Sequence, residues 1–377
     1  MSVVAWAQRG IARLDPGDRP ALAAFQREHF GERAMQHCPE HHRWVFEDVP
    51  RPDPEGVQLW VCKRKDAVVG QQGGIPFRLK AGDRMLRASW SIDLMVAPEW
   101  RLRGVGPALT DAHAMCNEAT VSLAPSDAAY KAYKRAGWLD LGSVPTYVRV
   151  IDPVPCVAVT PLTARFGRAG RAAAAVAGPV LATASFACAA AVLAAGARVE
   201  VVERFDERVD PLWRDAAPRY PVIAERSLDF LRWRFDRGPA VRQAKRLYIT
   251  RRGQLMGYAV LRADRWRGVP VMVVLDYLVR PGWTAAAFAL AVEYARRERA
   301  AALLCRTLNP EAARPLAAMG FVCLKNGLNM PTRMLARAGF GAEGSAALLS
   351  DPANWYVTAA DSDLGFEPLG FDPTGTT

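Results

Sequence analysis

Chain length and composition exclude a disordered or fibrous protein and leave several globular classes open. The chain has 377 residues, of which 51% are hydrophobic and 23% charged, as in a globular protein long enough for two domains. Its formal net charge of +11 is compatible with nucleotides, acidic sugars, nucleic acid or an anionic membrane surface as partners, and charge alone does not choose among them.

The predicted elements occur in the same order twice along the chain. A helical N-terminal stretch leads to hairpin strands, and an apolar strand, a helix, another strand and a second helix follow. In the first copy the last four are Ser91–Val96, residues 106–118, Thr120–Ala124 and a helix ending at Gly137. In the second copy they are Val271–Val279, residues 285–299, Ala302–Arg306 and a helix ending at Gly320. This order predicts an α/β fold with a mixed, α+β-type sheet.

Direct similarity indicates that the repeated order is a duplication. A constant shift of 183 residues places Ile92–Trp100 (IDLMVAPEW) on Leu275–Trp283 (LDYLVRPGW). A slightly larger shift places Arg43–Pro50 on Arg232–Pro239, so that an Arg-Trp pair recurs. We therefore predict two tandem domains, at residues 1–155 and 201–335, joined by residues 156–200 and followed by a solvated tail at 336–377.

The joint contains a stretch without any charge, from Ala172 to Ala197, that is long enough to span a bilayer. It consists mostly of alanine and contains Pro179, which is expected to kink or break a helix. An interdomain helix or hairpin packed on protein is the first interpretation. A peripheral membrane contact, helped by Arg165, Arg168 and Arg171, is the second, and a true span is the third.

A glycine-rich loop precedes the first helix of the first copy, with the sequence Arg101-Leu102-Arg103-Gly104-Val105-Gly106. Glycines allow the backbone N–H groups to approach a ligand closely, and the following helix N-terminus favours an anion. The two arginines add positive charge. This combination indicates a pyrophosphate-binding loop, although glycine-rich turns also precede helices for purely structural reasons.

A second pattern follows at the right distance. Ser126, Ala129, Tyr133, Gly137 and Trp138 have the spacing N-x-x-A-x-x-x-Y-x-x-x-G-[aromatic], with serine in place of the usual asparagine. Loop and helix together resemble the Gcn5-related N-acetyltransferase (GNAT) superfamily, whose R/Q-x-x-G-x-G/A loop binds the pyrophosphate of acetyl-CoA. The resemblance covers residues 20–150 and, through the repeat, residues 200–330. The serine at position 126 departs from the pattern and could loosen one cofactor contact.

The resemblance implies a cosubstrate, a mechanism and a set of site residues. The cosubstrate would be acetyl-CoA or another acyl-CoA, bound by Leu94, Met95, Val96, Arg101, Leu102, Arg103, Gly104, Val105, Gly106, Ser126 and Ala129. An acceptor amine would attack the thioester carbonyl while strand N–H groups near Leu94 and Met95 stabilise the oxyanion. Tyr133 would protonate the departing thiolate, the alternative being that it only packs in the core.

Asp93 lies on the strand that borders the implied reaction centre, so it is a candidate base for the acceptor ammonium. Its counterpart Asp276 persists in the copy that lacks the loop, and a structural role is therefore equally open. The second copy has Thr284–Ala289 in place of the loop and Leu316 in place of Tyr133. We expect one working site, in the first half.

Cysteine and histidine usage indicates no metal site. The seven cysteines are scattered without a CxxC pair, and the histidines between residues 29 and 42 are followed by no second ligand pair at a useful distance. The N-terminal residues lack the pattern of a secretion signal. The expected location is therefore the cytoplasm, with at most peripheral contact with the inner membrane.

The function expected is transfer of an acetyl or short acyl group from CoA to an amine of a small molecule or sugar. Two alternatives remain, a Fem-type transferase that uses aminoacyl-tRNA and a non-catalytic acyl-CoA-binding protein. The arginine excess would suit tRNA, but the phosphate loop favours CoA, so nucleic acid is not the expected partner. The acceptor and the oligomeric state are left open.

Overall fold

Two copies of one αβ unit share a continuous sheet in the computed structural model, which describes residues 10–31, 34–50, 53, 55–159, 161–238, 243–325 and 331–363. The elements of the first half are β1 Ile11–Arg13, α1 Arg19–Phe30, α2 Pro39–His42, β2 Leu59–Arg64, β3 Ala67–Ala81, β4 Arg84–Val96, α3 Val105–Met115, β5 Ala119–Leu123, α4 Asp127–Arg135, β6 Leu139–Val144 and β7 Thr146–Val150.

The joint and the second half repeat this pattern. Their elements are α5 Pro153–Ala158, α6 Pro161–Ala194, β8 Ala197–Val202, α7 Val209–Ala216, β9 Val222–Ala224, α8 Leu228–Leu231, β10 Lys245–Arg251, β11 Gln254–Trp266, β12 Val269–Val279, α9 Thr284–Arg297, β13 Ala302–Leu308, α10 Ala313–Ala318, β14 Val322–Leu324, β15 Thr332–Ala338, α11 Ala346–Ser350 and β16 Trp355–Thr358. The predicted mixed sheet is confirmed, with antiparallel hairpins and one parallel pair at the centre of each half, β4 with β5 and β12 with β13.

The main path of the sheet follows the order β6-β15-β5-β4-β3-β9-β16-β13-β12-β11-β10-β8. Strand β2 pairs with β1 and β3, and β7 lies between β13 and β14. The short strands β9 and β16 join the halves, because β9 pairs with β3 and β16 pairs with both β9 and β13.

The halves also exchange strands, which the sequence did not predict. Strand β7 leaves the first half and pairs with β13, where Thr146 lies opposite Arg306. Strand β15 leaves the second half and inserts between β5 and β6, where Met334 lies opposite Leu123. The domain limits predicted from the sequence therefore do not coincide with the two groups of paired strands. Each strand pairs with its neighbours in space, and two strands cross into the other half.

The expected solvated tail is part of the fold in its described portion. Strand β16 lies inside the sheet, and residues 355–362 are buried. After Thr358 the segment reads Ala-Ala-Asp-Ser-Asp, without large apolar residues, so its local pattern gave no sign of burial. Burial comes from pairing with β9 and β13, which are distant in sequence.

The repeated Arg-Trp pair marks an interface between the halves. Trp44 and Trp233 stack with ring centroids 4.9 Å apart. The indole N–H of each donates to the backbone carbonyl of the other at 2.9 Å. Each tryptophan lies in a π-helical turn, Arg43–Glu47 or Arg232–Arg237, so the contact is symmetric between the two copies. The tryptophans therefore anchor the halves to each other.

Helix α6 forms most of the joint and packs on the second half. It continues through Pro179, where the sequence predicted a kink or break, and its irregular residue is Gly167, with φ 47° and ψ −125°. By length and composition alone, residues 167–194 could cross a membrane. One stripe of the helix is buried at Ala174, Ser185 and Ala189. These buried residues agree with the first interpretation of the joint, a helix packed on protein.

The interior of the first half contains a buried histidine that the sequence analysis did not identify. His113 on α3 is fully buried between two serines, with Nδ1 2.8 Å from Ser91 Oγ and Nε2 2.8 Å from Ser89 Oγ. Burial, helped by the charge of Arg13, lowers the pKa of His113 to about 3. The ring is therefore neutral at physiological pH and donates through one nitrogen while accepting through the other.

This neutral histidine makes stability depend on pH. In the unfolded chain His113 takes a proton near pH 6.5, whereas in the folded chain it does so only near its pKa of about 3. Its contribution is present above the unfolded pKa and is lost as the pH falls toward 3, with a slope of at most about 1.4 kcal/mol per pH unit. We expect His113→Gln to reduce the pH dependence of the free energy of unfolding between pH 7 and pH 4, as measured by urea denaturation at several pH values. Equal slopes in both proteins would contradict this assignment.

Candidate functional site

The glycine-rich loop has the conformation that its glycine requires. Gly104 has φ +78° and is the residue before α3, and Leu102 has φ +61°. A left-handed conformation of this kind is adopted readily by glycine and at a cost by other residues. The side chains of Arg101, Leu102 and Arg103 are exposed, while Val105 is buried beneath them. The loop thus presents backbone N–H groups and the start of α3 to solvent.

Arginines surround this loop. The guanidinium of Arg103 lies 5.2 Å from the ring centroid of Trp100, and that of Arg64 lies 5.0 Å from the same ring. Arg101 Nε donates to the carbonyl of Val96 at 3.0 Å. Arg64 comes from β2, and sequence reasoning missed it because nothing along the chain links it to the loop. Three guanidinium groups beside a helix N-terminus form a site suited to phosphate.

The two central strands diverge beside the loop. Strand β4 pairs with β5 only from Ala88 to Trp90, and its remaining residues pair with β3 alone among the described residues. Near the point of divergence the β3–β4 register shifts, and Asp93 has φ +55°. Leu94 and Met95 lie beyond the divergence and are half-buried. The open edge of β4 leaves backbone groups that an extended ligand could bind.

Tyr133 lies in the gap between the diverging strands. Helix α4 carries it, and it packs with Ala129, Trp138 and Leu94. The hydroxyl donates to Gln72 Oε1 at 3.3 Å and also makes hydrogen bonds with Ser122 and Ser91.

Burial raises the pKa of Tyr133 to about 12; the hydrogen bonds with Ser122, Ser91 and Gln72 lower it, and the nearby charge of Asp363 raises it further. The phenol is therefore protonated at neutral pH. It shares Ser91 with His113, so the site and the buried histidine form one polar network.

Ser126 and Ala129 have structural positions in α4. The hydroxyl of Ser126 accepts from the N–H of Ala129 at 3.3 Å and thereby caps the helix. Ser126 itself is exposed, and Ala129 is buried against Tyr133. Serine thus keeps the capping role that asparagine would also provide.

Two carboxylates lie near this gap. Asp93 is half-buried, and its Oδ1 accepts from Gln36 Nε2 at 3.0 Å. Asp363, from the segment predicted to be a solvated tail, is close enough to raise the pKa of Tyr133 and interacts with the charge of Arg234. Burial raises the pKa of Asp363 as well. Sequence reasoning did not place Asp363 here, because its approach depends on β16.

The counterpart of Asp93 has a different environment. Asp276 is fully buried, and its carboxylate accepts from Tyr258 Oη at 2.7 Å and from Thr358 Oγ1 at 2.7 Å. Arg226 Nε lies 3.2 Å from it in a buried ion pair. Asp276 is therefore a structural residue in the second half, and its presence does not settle the role of Asp93.

In the second half the corresponding gap is filled by the chain itself. Strands β12 and β13 pair from Val271 to Val274 and then diverge. Beyond that point β16 pairs with β13, and the hydroxyl of Tyr356 donates to the carbonyl of Tyr277 on β12. Leu316, at the position of Tyr133, is fully buried in the core. In the described residues the second gap therefore has β16 where the first is open.

No three His, Cys, Asp or Glu side chains of the described residues lie together as a metal site would require. His41, one of the clustered histidines, is buried, and burial lowers its pKa to about 4. It packs against Trp44 with ring centroids 6.0 Å apart. Cys38 is exposed.

Comparison with known proteins gives one match by family and several by structure. Residues 11–139, which include the loop and Tyr133, match the family model for the acetyltransferase (GNAT) domain. No curated protein matches by sequence.

Among solved structures, the GCN5-related N-acetyltransferase from Anabaena variabilis ATCC 29413 is similar with TM-score 0.58 and 12% identity, over 87% of this chain and 72% of that one. A probable N-acyltransferase from Enterococcus faecalis V583 has TM-score 0.56 and 11% identity over the same shares. N-myristoyltransferase from Saccharomyces cerevisiae, with bound myristoyl-CoA, has TM-score 0.50 and 10% identity, over 87% of this chain and 78% of that one.

At these identities the structural matches show the fold, and the family match shows what the first half is. The predicted family, fold class and enzyme class are thereby confirmed, while the individual site residues stay predictions. Residues 11–139 form a GNAT acetyltransferase domain, and the enzyme class that this domain indicates is acyltransferase.

Proposed function

We propose that this protein transfers an acetyl or another short acyl group from CoA to an amine of a small molecule or sugar, at one site in its first half. The observation that carries the proposal is the gap between β4 and β5, which begins beside the phosphate-binding loop and has Tyr133 in it. A thioester with a phosphate at one end fits such an arrangement.

The loop would hold the pyrophosphate of acyl-CoA. The N–H groups at Gly104, Val105 and Gly106 would donate to it, and Arg101 and Arg103 would add charge. The extended arm of the cosubstrate would then lie along the open edge of β4, at Leu94 to Val96. Backbone N–H groups near Leu94 and Met95 would stabilise the oxyanion that forms on the thioester carbonyl.

The chemistry requires one proton to be removed and one to be donated. The neutral acceptor amine attacks the carbonyl carbon, a C–N bond forms, and the C–S bond to CoA breaks. Tyr133, protonated at neutral pH, donates to the sulfur as negative charge develops there. Before the attack a carboxylate takes one proton from the acceptor ammonium, and we assign this role to Asp93, with Asp363 as the competing residue. The attacking nitrogen loses its second proton as the amide forms, and that proton restores the phenol of Tyr133.

Two features favour CoA over aminoacyl-tRNA and catalysis over simple binding. The loop conformation places a glycine with φ +78° at the helix start, as close approach of a pyrophosphate needs. The protonated phenol in the gap is a group that binding alone would not need. The carboxylates Asp93 and Asp363 favour an amine acceptor, which carries positive charge in water. A cytoplasmic location remains part of this proposal.

The first prediction concerns cosubstrate binding. Calorimetry or native mass spectrometry should find one CoA per chain, because β16 fills the gap of the second half. Arg101→Glu with Arg103→Glu should weaken CoA binding at least about tenfold, since each replaced guanidinium removes a charge-assisted phosphate contact. Gly104→Val should abolish binding, because its side chain would occupy the space of the phosphate.

Arg204→Glu is the matched control, since Arg204 is exposed in the second half. It should leave CoA affinity unchanged, and all variants should show the wild-type thermal transition except Gly104→Val, which carries backbone strain as well. Two equivalent CoA molecules per chain, or unchanged affinity in the loop variants, would show that the wrong half has been assigned.

The second prediction concerns the acid. Tyr133→Phe should lower kcat on the order of 10²–10⁴-fold, the usual worth of a general acid, with little change in CoA affinity. Thiol release from acetyl-CoA, with an amine selected from an acceptor screen, measures kcat. Turnover near the wild-type value across the pH range would mean that Tyr133 is a packing residue.

The third prediction distinguishes the two carboxylates. Asp93→Asn should remove the acidic limb of the pH profile of kcat/KM, because that limb reports the base of the free enzyme. Asp363→Asn should keep the limb and raise KM for the acceptor. The reverse result would assign the base to Asp363 and leave Asp93 a positioning residue.

A further inference from the structure

Helix α6 is buried along one stripe only, and apolar side chains outside this stripe are exposed to solvent. Val176 is 74% exposed and Val180 is 65% exposed, and Phe186 and Leu193 are also exposed. From residue 172 to residue 197 the chain contains no charged side chain. A helix with one packed side normally carries charged and polar residues on the other. Packing on the second half therefore leaves this composition unexplained.

The neighbouring edge strand extends the same surface. Val199 and Val201 on β8 are exposed, and Val199 lies opposite Ile249 in the antiparallel β8–β10 pair. Directly paired residues point to the same face of a sheet, and Ile249 packs against Ala189 of α6. Val199 and Val201 therefore face the side on which α6 lies. We call the six residues Val176, Val180, Phe186, Leu193, Val199 and Val201 the outer face.

The hydroxyl groups of Thr183 and Ser185 donate within the helix. Thr183 Oγ1 donates to the carbonyl of Pro179 at 2.9 Å, and Ser185 Oγ donates to the carbonyl of Leu181 at 2.7 Å. Such bonds to the preceding turn let a hydroxyl enter an apolar medium without an unsatisfied donor. Protein interfaces normally have a polar rim with hydrogen bonds across it, whereas between Ala172 and Ala194 this helix has no charged side chain.

The charges beside the helical part of the outer face are positive, while on β8 Glu200 lies between the two valines and pairs with Arg208. Arg168 and Arg171 are exposed at the beginning of the helix, and no Asp or Glu occurs between Asp152 and Glu200. Exposed apolar residues next to arginines match the interface of an anionic bilayer, where apolar side chains enter the acyl region and cations stay with the headgroups. We propose that the outer face docks the protein on an anionic membrane surface, with α6 lying in the interface plane.

Docking and not spanning follows from the buried stripe. Ala189 packs with Ile249, Val279 and Leu290 of the second half, and Ser185 accepts from buried Arg149 at 3.2 Å. A spanning helix would have to leave these contacts and expose Arg149. The surface lies on the second half, away from the loop of the first, so the proposal is independent of the acyl transfer proposed above.

Sedimentation of the full chain with vesicles tests the proposal. Vesicles of phosphatidylcholine with phosphatidylglycerol should bind the protein, and vesicles of phosphatidylcholine alone should bind it at least about tenfold more weakly, with binding reduced by salt. Val176→Glu with Val180→Glu should weaken binding to the anionic vesicles at least about tenfold, and so should Arg168→Glu with Arg171→Glu.

Met85→Glu with Phe340→Glu is the matched control, because both residues are exposed apolar side chains away from α6, Met85 on β4 and Phe340 in the turn after β15. This variant should bind vesicles as the wild type does, and CoA binding should be unchanged in all of the variants, which shows that they fold. Recovery of the wild type in the supernatant with anionic vesicles would overturn the proposal. A dimer that Val176→Glu with Val180→Glu dissociates, without vesicle binding, would assign the face to a second copy instead.

Discussion

Exchange of strands between the two halves is the constraint on which the rest of the structure depends. Without β15 the first half would lack the strand between β5 and β6, and without β7 the second half would lose the partner that joins β13 to β14. Each missing strand would leave rows of backbone groups unpaired, at a cost that a marginally stable domain could not offset. Each half therefore completes the sheet of the other, and the second half, which lacks the glycine-rich loop, is still needed to build the first.

The same constraint bears on the difference between the two halves. Both have central strands that part beyond their parallel pairing, which leaves a gap in each. In the second copy β16 fills the gap, and Asp276 joins Arg226, Asp361 and Thr358 in a buried polar network. Removing one partner of a buried ion pair leaves an uncompensated charge, and this network of Arg226 with Asp276 and Asp361 ties down the segment that leads to Asp363. Thus the gap that β16 fills helps to position a carboxylate near the open one.

Local sequence was sufficient to predict some parts of the fold and of the candidate site, and insufficient for others. The loop from Arg101 to Gly106 and the helix from Ser126 to Trp138 could be predicted because a turn, a cap and a helical spacing are written in consecutive residues. The roles of Arg64, His113 and Asp363 could not, since each depends on a strand or helix from elsewhere in the chain. Strand exchange could not be predicted for the same reason. The sequences of β7 and β15 predict strands, but they do not indicate which half each strand pairs with.

The composition of the joint follows only partly from its path. The chain leaves β7 beside β13 and must reach β8 at the far edge of the second half, several strand spacings of about 4.8 Å away. A helix across the face of that sheet makes the connection, and alanines on its inner stripe let it approach Leu290 and Ile249 closely. That path requires small residues on one side of α6 and polar residues on the other. The fold therefore does not account for the exposed valines. An apolar medium on the outer side of the helix is the environment that would favour them.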